Sequence, residues 1–357
     1  MKILFVTDLY PIGNENIAKA LFYFVQEWQK QGHKVEVIRS NFIFNTLIRG
    51  RRIIEEKIYY EQGTKIYNLN FNTPFLFNVY KKLPKNFSLK NYDVMISHMP
   101  CGALMANKLL QRDKIKYICA VHCSDITVLT DKKYILFKNE LKKSYLQADN
   151  IAARSPILKE KIEKLIPNNK TFIAYSGINE EIIDKPLNKE ITISTVASLI
   201  KRKNIDIIIN TIKDMPNIKL NIIGSGKEEK HLKNLAKGCS NITFLGQLAR
   251  NLVIEELKKS DIFILLSDNE TFGLSYLEAM ATGNIVIAKK GDGIDGILRN
   301  NENGFLINAS NLELKKCLEE ILSLDSAKLT ELKENCKDTI KKYTNELTAE
   351  NYLKNIQ

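Results

Sequence analysis

The chain has 357 residues, which is long for a single hydrophobic core and comfortable for two domains of ordinary size. Its hydrophobic content of 44% and charged content of 26% indicate a soluble globular protein, and its net charge of +12 favours an anionic partner. The sequence has no compact basic motif with stacking aromatic residues, which argues against nucleic acid, and no apolar run approaches the ~20 residues that span a bilayer.

The six cysteines are scattered without a paired framework or the spacing of metal ligands. Reduced thiols in a cytoplasmic protein are the simplest account of this pattern. The first apolar residues are interrupted by Asp8 too soon for a signal peptide, which also favours a cytoplasmic location.

The first elements predict the opening of a doubly wound α/β domain. Residues 3–6 are typical of a buried strand, residues 16–31 predict a helix, and residues 35–38 predict a second strand. The loop between the first strand and the helix contains Gly13. No Gly-x-Gly-x-x-Gly follows the first strand, so the sequence does not predict a dinucleotide site.

Residues 41–87 combine aromatic and aliphatic side chains with clustered lysines and arginines. This composition suits a surface that rests on anionic lipid. The alternative is that the apolar members belong to the core and the lysines are simply solvated. The apolar members are Phe42, Ile43, Phe44, Leu47, Ile48, Phe71, Phe75, Leu76, Phe77, Val79 and Tyr80.

Two histidines follow predicted strands of this domain. Residues 93–97 lead to His98, and residues 117–121 lead to His122. A side chain at the carboxyl end of a parallel strand points into the crevice where such sheets bind ligands. His122 is therefore the first choice for an active-site histidine and His98 the second, with a purely structural role as the alternative.

The second half repeats the alternation of strands and helices. An interrupted stretch at residues 179–190 predicts an interdomain linker, and residues 191–196 predict the first strand after it. A basic run ending in Lys203 follows that strand. Gly224 closes a later strand, which alone is a weak signal for a nucleotide. The remaining predicted helices span residues 312–324, 327–342 and 346–356.

The most specific pattern begins with a predicted buried strand at residues 262–266. A polar loop, Gly273 and a helix starting near Leu274 follow this strand. The first amides of this helix, including that of Ser275, have no intrahelical partner. Together with the helix dipole, they suit a phosphate or pyrophosphate.

Two glutamates border the space in front of this helix. Glu270 lies in the loop, and Glu278 lies about one turn inside the helix. In this arrangement Glu278 is expected to accept hydrogen bonds from ribose hydroxyls, and Glu270 to reach the group beyond the phosphates. The alternative is that both are solvated charges.

The block around these glutamates closely resembles the signature of the retaining glycosyltransferases of family GT4, which have the GT-B fold. In that family the two glutamates are separated by seven residues, as they are here. The resemblance is highly specific in residues 191–307 and looser across the N-terminal half. The matching residues are Glu270, Phe272, Gly273, Leu274, Glu278, Ala279, Met280, Ala281, Gly283, Gly291, Gly293, Gly304, Phe305 and Leu306.

The resemblance implies an α/β protein with two Rossmann-like doubly wound domains that face each other across a cleft. It implies an acceptor-binding domain at residues 1–180 and a donor-binding domain at residues 190–340. It also implies a C-terminal helix at residues 341–357 that packs back toward the first domain.

The resemblance further implies roles for individual residues. His122 matches the position that faces the donor sugar, and Lys203 matches a lysine expected to neutralise the diphosphate. Ser198 stands where the family usually has an arginine, and Arg202 is expected to replace that arginine. Only Gly13 remains of the glycines that usually precede the first helix.

These matches complete the predicted site. Gln247 and Leu248 match the family loop whose backbone contacts the nucleotide base. The predicted catalytic residues are His122 and Glu270. The predicted donor-binding residues are Gly13, Ser198, Arg202, Lys203, Gly224, Gln247, Leu248, Phe272, Gly273, Leu274, Ser275 and Glu278.

The implied reaction transfers a sugar from a nucleotide diphosphate, with UDP as the first choice of nucleotide, and retains the anomeric configuration. The implied acceptor is a glycan or a lipid-linked sugar in polysaccharide or glycolipid assembly. We expect the protein to lie in the cytoplasm or on the inner face of the cell membrane. The chain has no Asp-x-Asp pair, so we expect neither a metal ion nor another cofactor.

Two alternatives remain open. The first is a nucleotide-sugar epimerase or phosphorylase on the same architecture. The second is a protein without catalytic activity that scaffolds another transferase, as the missing arginine and glycines would allow.

Overall fold

The computed structural model describes residues 1–11, 19–42, 55–71, 79–167 and 170–356. The chain divides into two compact units, Met1–Tyr175 with Asn345–Gln357 and Ser176–Thr344. Gly13 lies outside the described residues, as do the members of the 41–87 surface at residues 43–54 and 72–78.

The first unit is built on an eight-stranded sheet with the order β3-β4-β2-β1-β5-β6-β7-β8. Its core lies on both faces of the sheet, because successive side chains of a strand point to opposite faces. Leu4 and Val6 of β1 enter one hydrophobic cluster, while Ile3 and Phe5 enter the other. The strands are β1 (Lys2–Thr7), β2 (Lys34–Phe42), β3 (Ile58–Glu61), β4 (Thr64–Phe71), β5 (Val94–Ser97), β6 (Lys116–Val121), β7 (Asn150–Ala153) and β8 (Thr171–Ile173).

Helices supply the outer side of each cluster, as expected for a doubly wound domain. Leu21 and Trp28 of α1 pack in the cluster that contains Ile3. Ala103 of α3 and Leu141 of α5 pack in the cluster that contains Leu4. The helices are α1 (Lys19–Lys30), α2 (Val79–Lys82), α3 (Met99–Leu110), α4 (Cys123–Thr130), α5 (Ile135–Leu146), α6 (Pro156–Leu165) and α13 (Asn345–Lys354).

The hairpin of β3 and β4 was not predicted from the sequence. The two strands pair antiparallel across a two-residue turn, in which Gln62 and Gly63 both have positive φ.

Two members of the predicted surface at residues 41–87, Phe71 and Val79, are buried in the core of the first unit. For these two residues the predicted lipid-facing surface at 41–87 is wrong, because their side chains are already covered by the protein.

Helix α13 packs on α1 within the first unit. The indole Nε1 of Trp28 donates to the carbonyl of Ala349 at 2.9 Å. The ring of Tyr352 meets Phe24 and Trp28 edge to face, with 5.3 Å between ring centroids in each case. This helix therefore completes the first unit's core although it follows the whole second unit in the chain.

The second unit contains a six-stranded parallel sheet with the order β11-β10-β9-β12-β13-β14. Its strands are β9 (Thr192–Val196), β10 (Lys219–Ile223), β11 (Ile242–Gly246), β12 (Ile262–Leu265), β13 (Ile285–Lys289) and β14 (Phe305–Ile307). Its helices are α7 (Ile205–Ile212), α8 (Glu229–Leu235), α9 (Arg250–Lys259), α10 (Leu274–Ala281), α11 (Asn311–Ser323) and α12 (Ser326–Ile340).

The stretch predicted as a linker, residues 179–190, is bound to the second unit. The N–H of Ile183 donates to the carbonyl of Ala281 at 2.7 Å. The ammonium of Lys185 donates to the carbonyls of Leu257 and Lys258, at 2.9 and 2.8 Å, at the end of α9. The units therefore divide at Tyr175 rather than within the predicted linker.

In the part of the chain that the structure describes, no helix combines the length and the apolar character needed to cross a membrane.

Candidate active site

The second unit's parallel strands all end at the same edge of the sheet. β9 comes first in the chain but lies in the middle, between β10 and β12. The loops that follow β9 and β12 therefore diverge at this point, which is where open α/β sheets bind ligands. Lys203 follows β9 and Glu270 follows β12, so both residues lie at this position.

Lys203 and Glu270 form an ion pair in which the ammonium Nζ donates to Oε2. Lys203 is only 7% exposed, and Nη1 of Arg202 lies 3.8 Å from the same carboxylate oxygen. Two negative carboxylates and a pyrophosphate require nearby cations. The structure brings Lys203 and Arg202 to Glu270, in the crevice where the sequence analysis expects these two cations to neutralise the diphosphate.

Additional bonds fix the loop that carries Glu270. The N–H of Asp268 donates to the carbonyl of Arg202 at 2.7 Å, and Lys289 forms an ion pair with the Asp268 carboxylate. Burial opposes the ionisation of Asp268, but the hydrogen bonds from Lys289 and Asn204 outweigh it and hold its pKa below the usual value. The loops after β9 and β12 and the last residue of β13 are thus joined to one another.

Asp292, in the loop after β13, also holds the loop that carries Glu270, and it was not identified from the sequence. Its Oδ1 accepts hydrogen bonds from the N–H groups of Glu270 and Gly293, at 2.7 and 2.8 Å. Burial is the main reason why the pKa of Asp292 is raised, although the two N–H donors act against it. A buried carboxyl group therefore sets the position of the Glu270 backbone.

Helix α10 begins where the sequence predicted. Gly273 precedes the helix with φ of +88°, in the left-handed region that favours glycine. A Cβ atom at Gly273 would lie 2.4 Å from Cδ2 of Tyr276, so the position also lacks space for a side chain. The N–H groups of Leu274 and Ser275 occupy the first turn and have no intrahelical acceptor. Phe272 is buried.

Glu278 is buried on α10, and its partner was missed in the sequence. Nη2 of Arg250 lies 2.8 Å from Oε1 of Glu278 and 2.5 Å from Oε1 of Glu180. One guanidinium therefore joins two carboxylates. The sequence did contain a signal for Arg250. A buried glutamate needs a cation beside it, and Arg250 lies just after Gln247 and Leu248, which the sequence analysis had assigned to the site.

The remaining predicted donor residues lie in loops after β9, β10 and β11. The N–H of Gly224 donates to the carbonyl of Gly246 at 2.7 Å, and the Ser225 hydroxyl donates to Oε1 of Gln247 at 3.1 Å. These bonds place the ends of β10 and β11 side by side. Leu248 is half-buried in the loop after β11, and Ser198 is exposed in the turn after β9.

In the first unit, the structure brings the two candidate histidines together. His98 follows β5 and His122 follows the neighbouring strand β6. Nδ1 of His98 lies 3.1 Å from Nε2 of His122. Burial, with a contribution from the nearby Arg154, holds the pKa of His122 well below its usual range. His122 is therefore a neutral imidazole at physiological pH.

Among the described residues, no group of three or more histidine, cysteine, aspartate or glutamate side chains could hold a metal ion.

Two doubly wound units with a charged crevice at a sheet edge define an α/β protein with a candidate ligand site at the carboxyl ends of its parallel strands. Two family models show which proteins of this class the chain matches. The model described as Glycosyltransferase Family 4 matches residues 17–182, and the model described as Glycosyl transferases group 1 matches residues 178–343. Together they match nearly the whole chain. The chain belongs to the family 4 glycosyltransferases, and the protein is a glycosyltransferase with the GT-B fold.

Individual relatives agree with this assignment. An uncharacterized glycosyltransferase of Methanocaldococcus jannaschii is 28% identical over 278 residues, which cover 76% of each chain. N-acetyl-alpha-D-glucosaminyl L-malate synthase of Bacillus anthracis is 26% identical over 300 residues, which cover 78% of this chain and 76% of that protein. The solved structure of HepE from Anabaena in complex with UDP covers 99% of both chains, with a TM-score of 0.77 and 16% identity.

Proposed function

We propose that the protein transfers a sugar from a UDP-sugar to a glycan or lipid-linked acceptor in cell-surface polysaccharide assembly, with retention of configuration and without a metal ion. The observation that carries this proposal is the ion pair between the buried Lys203 and the half-buried Glu270, with Arg202 beside it, at the crevice next to α10. The structure of the relative HepE with UDP supports UDP as the nucleotide.

The proposed mechanism depends on where charge develops. When the bond between sugar and diphosphate breaks, negative charge grows on the departing phosphate. The N–H groups of Leu274 and Ser275 and the ammonium of Lys203 are placed to stabilise such a charge, which lowers the barrier. In retention by front-face attack, the acceptor hydroxyl approaches from the side that the diphosphate leaves and gives its proton to a phosphate oxygen.

Glu270 has a supporting role in this proposal. Its carboxylate is paired with Lys203 and lies near Arg202, so it supports the sugar electrostatically rather than acting as a nucleophile. Glu278 is proposed to accept hydrogen bonds from the ribose, with Arg250 holding its carboxylate in place. His122 is proposed to hydrogen-bond the transferred sugar as a neutral imidazole.

Nucleotide binding and sugar transfer test the proposal. UDP at 100 times its dissociation constant should stabilise the protein by about 2.7 kcal/mol, and GDP and ADP should stabilise it less. Lys203→Met should abolish most of this stabilisation and the transfer of sugar from UDP-sugars. Lys201→Met is the matched control, because Lys201 lies in the same turn but is exposed.

Several outcomes would contradict the proposal. Equal stabilisation by UDP in wild type and Lys203→Met would remove the proposed anion site. Loss of transfer in the presence of a chelator would refute metal independence. Conversion of the sugar nucleotide without an acceptor would favour an epimerase, and full cellular function of Lys203→Met would favour a scaffold.

We further propose that the first unit rests on anionic lipid through the α5 surface, defined as Lys132, Lys133, Ile135, Leu136, Lys142 and Lys143. Ile135 and Leu136 are 67% and 70% exposed at the start of α5, and the four lysines are exposed. Aliphatic side chains flanked by lysines suit the interface of an anionic membrane. A surface of this kind would bring the protein close to a lipid-linked acceptor.

Vesicle binding tests this placement. Ile135→Ser with Leu136→Ser should reduce sedimentation with vesicles of phosphatidylglycerol, and wild type should not sediment with phosphatidylcholine. Leu312→Ser is the matched control, because Leu312 is 65% exposed and lies near two exposed lysines on α11, Lys315 and Lys316. This variant should sediment with phosphatidylglycerol vesicles as wild type does. Equal vesicle binding by the α5 double variant and wild type would exclude this surface.

A further inference from the structure

A chain of three buried side chains runs from His122 to the last helix of the first unit. Nε2 of His122 lies 3.1 Å from Nδ1 of His98, and Nε2 of His98 lies 3.2 Å from the hydroxyl of Tyr352 on α13. His98 is fully buried, Tyr352 is 1% exposed, and His122 is 8% exposed. Only the His122 end of the chain therefore approaches solvent.

The surroundings hold these rings in place. The ring centroids of His98 and Phe5 lie 5.0 Å apart, and the backbone N–H of His98 donates to the carbonyl of Val6 at 2.9 Å. Tyr352 packs edge to face against Phe24 and Phe172. Rings packed in this way have little freedom to turn, so the two hydrogen bonds keep their geometry.

Both histidines are neutral, which constrains their protons. Burial holds the pKa of His98 well below its usual range, and the neighbouring His122 and Arg154 lower it further. A neutral imidazole has one N–H donor and one nitrogen acceptor. If His98 donates to His122, it must accept from Tyr352; if it accepts from His122, it must donate to Tyr352.

The two arrangements place the proton of His122 on different nitrogens. When Nε2 of His122 accepts from His98, the proton lies on Nδ1; when Nε2 donates, Nδ1 is an acceptor. A change of tautomer at His122 therefore requires His98 to change as well and the Tyr352 hydroxyl to exchange donor and acceptor roles. The orientation of one hydroxyl is coupled to the hydrogen-bonding character of His122.

We propose that Tyr352 and His98 are positioning residues that fix the tautomer and ring orientation of His122 for sugar transfer. This inference rests on the proposed function, since it assigns His122 to the transferred sugar. Neither residue contacts the reacting atoms in this proposal. They determine which nitrogen of His122 carries the proton. The exposed side of the ring therefore offers the bound sugar either a hydrogen-bond donor or an acceptor.

The variant Tyr352→Phe isolates the hydroxyl, because phenylalanine keeps the aromatic packing of α13. In wild type, the nitrogen-15 signals of His122 should show one protonated and one unprotonated nitrogen. In Tyr352→Phe these two signals should move toward each other as the tautomers mix. The kcat for transfer should fall about tenfold or more, while KM for the donor stays within about twofold. The variant His122→Gln identifies the signals.

Trp28→Phe is the matched structural control. It removes the hydrogen bond between Trp28 of α1 and Ala349 of α13 and keeps an aromatic ring against Tyr352, while both side-chain hydrogen bonds of His98 remain. This variant should lose stability while the His122 signals and kcat stay near those of wild type. Unchanged His122 signals or unchanged kcat in Tyr352→Phe would overturn the proposal, as would equal changes in Trp28→Phe. If wild type transfers no sugar, the proposed function fails, whereas the His122 signals still decide whether Tyr352 controls the tautomer.

Discussion

Replacing Gly273 by alanine tests whether the loop before α10 is built as the structure shows. The new Cβ would lie 2.4 and 2.5 Å from two carbons of the Tyr276 ring. Tyr276 is buried, and its hydroxyl donates to the carbonyl of Leu265 at 2.7 Å, so the ring has little room to move. The substitution must therefore shift either the core or the loop that carries Glu270.

The expected cost has two parts. A residue other than glycine with left-handed backbone angles costs about 1–2 kcal/mol, of which about 0.4–1 kcal/mol is offset by the stiffer unfolded chain. Overpacking against Tyr276 adds about 1–3 kcal/mol. Gly273→Ala should therefore lower the free energy of unfolding by about 2–4 kcal/mol.

Gly238 provides the matched control for this measurement. Its φ of +83° is similar to the +88° of Gly273, but a Cβ atom at Gly238 would meet nothing within 4 Å. Gly238→Ala should cost only about 1 kcal/mol in urea unfolding and should leave stabilisation by UDP intact. Equal costs for the two variants, or unchanged stabilisation of Gly273→Ala by UDP, would refute the reasoning.

Three further predictions concern charged groups. A double-mutant cycle of Lys203→Met and Glu270→Gln should give a coupling energy of about 1–3 kcal/mol in urea unfolding, and a value near zero would contradict the ion pair. Arg250→Leu should destabilise the second unit by about 3 kcal/mol, since it leaves two neighbouring carboxylates without their cation, and adding Glu278→Gln should restore part of the loss. Burial raises the pKa of Asp125 to about 7, so the folded protein keeps a proton that the unfolded chain releases above about pH 4. Asp125→Asn should match wild-type stability near pH 4 and exceed it by up to about 4 kcal/mol at pH 8, and a constant difference across this pH range would refute the assignment.

The strand, loop and helix around Glu270 could be predicted because their signals are local. An apolar run predicts β12, and Gly273 lies just before the first residue of α10. Charge balance predicted a cation from the loop after β9 at this crevice, with the diphosphate as its partner, and the structure shows Lys203 paired with Glu270. In these cases the residues that determine the structure lie close together in sequence or at the ends of neighbouring strands.

Other features depend on contacts that spacing does not reveal. Arg250 reaches Glu278 from a different helix, and Tyr352 reaches His98 across 254 positions of sequence. The β3–β4 hairpin was missed because β3 has only four residues and its turn is Gln62-Gly63 rather than Asn-Gly or Asp-Gly. The apolar side chains of Phe71 and Val79 would suit either a lipid surface or a protein core. The sequence does not distinguish these two environments, whereas the packed structure does.

The position of α13 has a consequence for how the protein is made on the ribosome. The first unit needs this helix to cover Trp28, yet residues 176–344 are synthesised before it. At a synthesis rate of about 5–20 residues per second, the nascent first unit waits many seconds with part of its aromatic core uncovered. The second unit is continuous in sequence and can fold during this interval, so the unit translated first is the last to be completed.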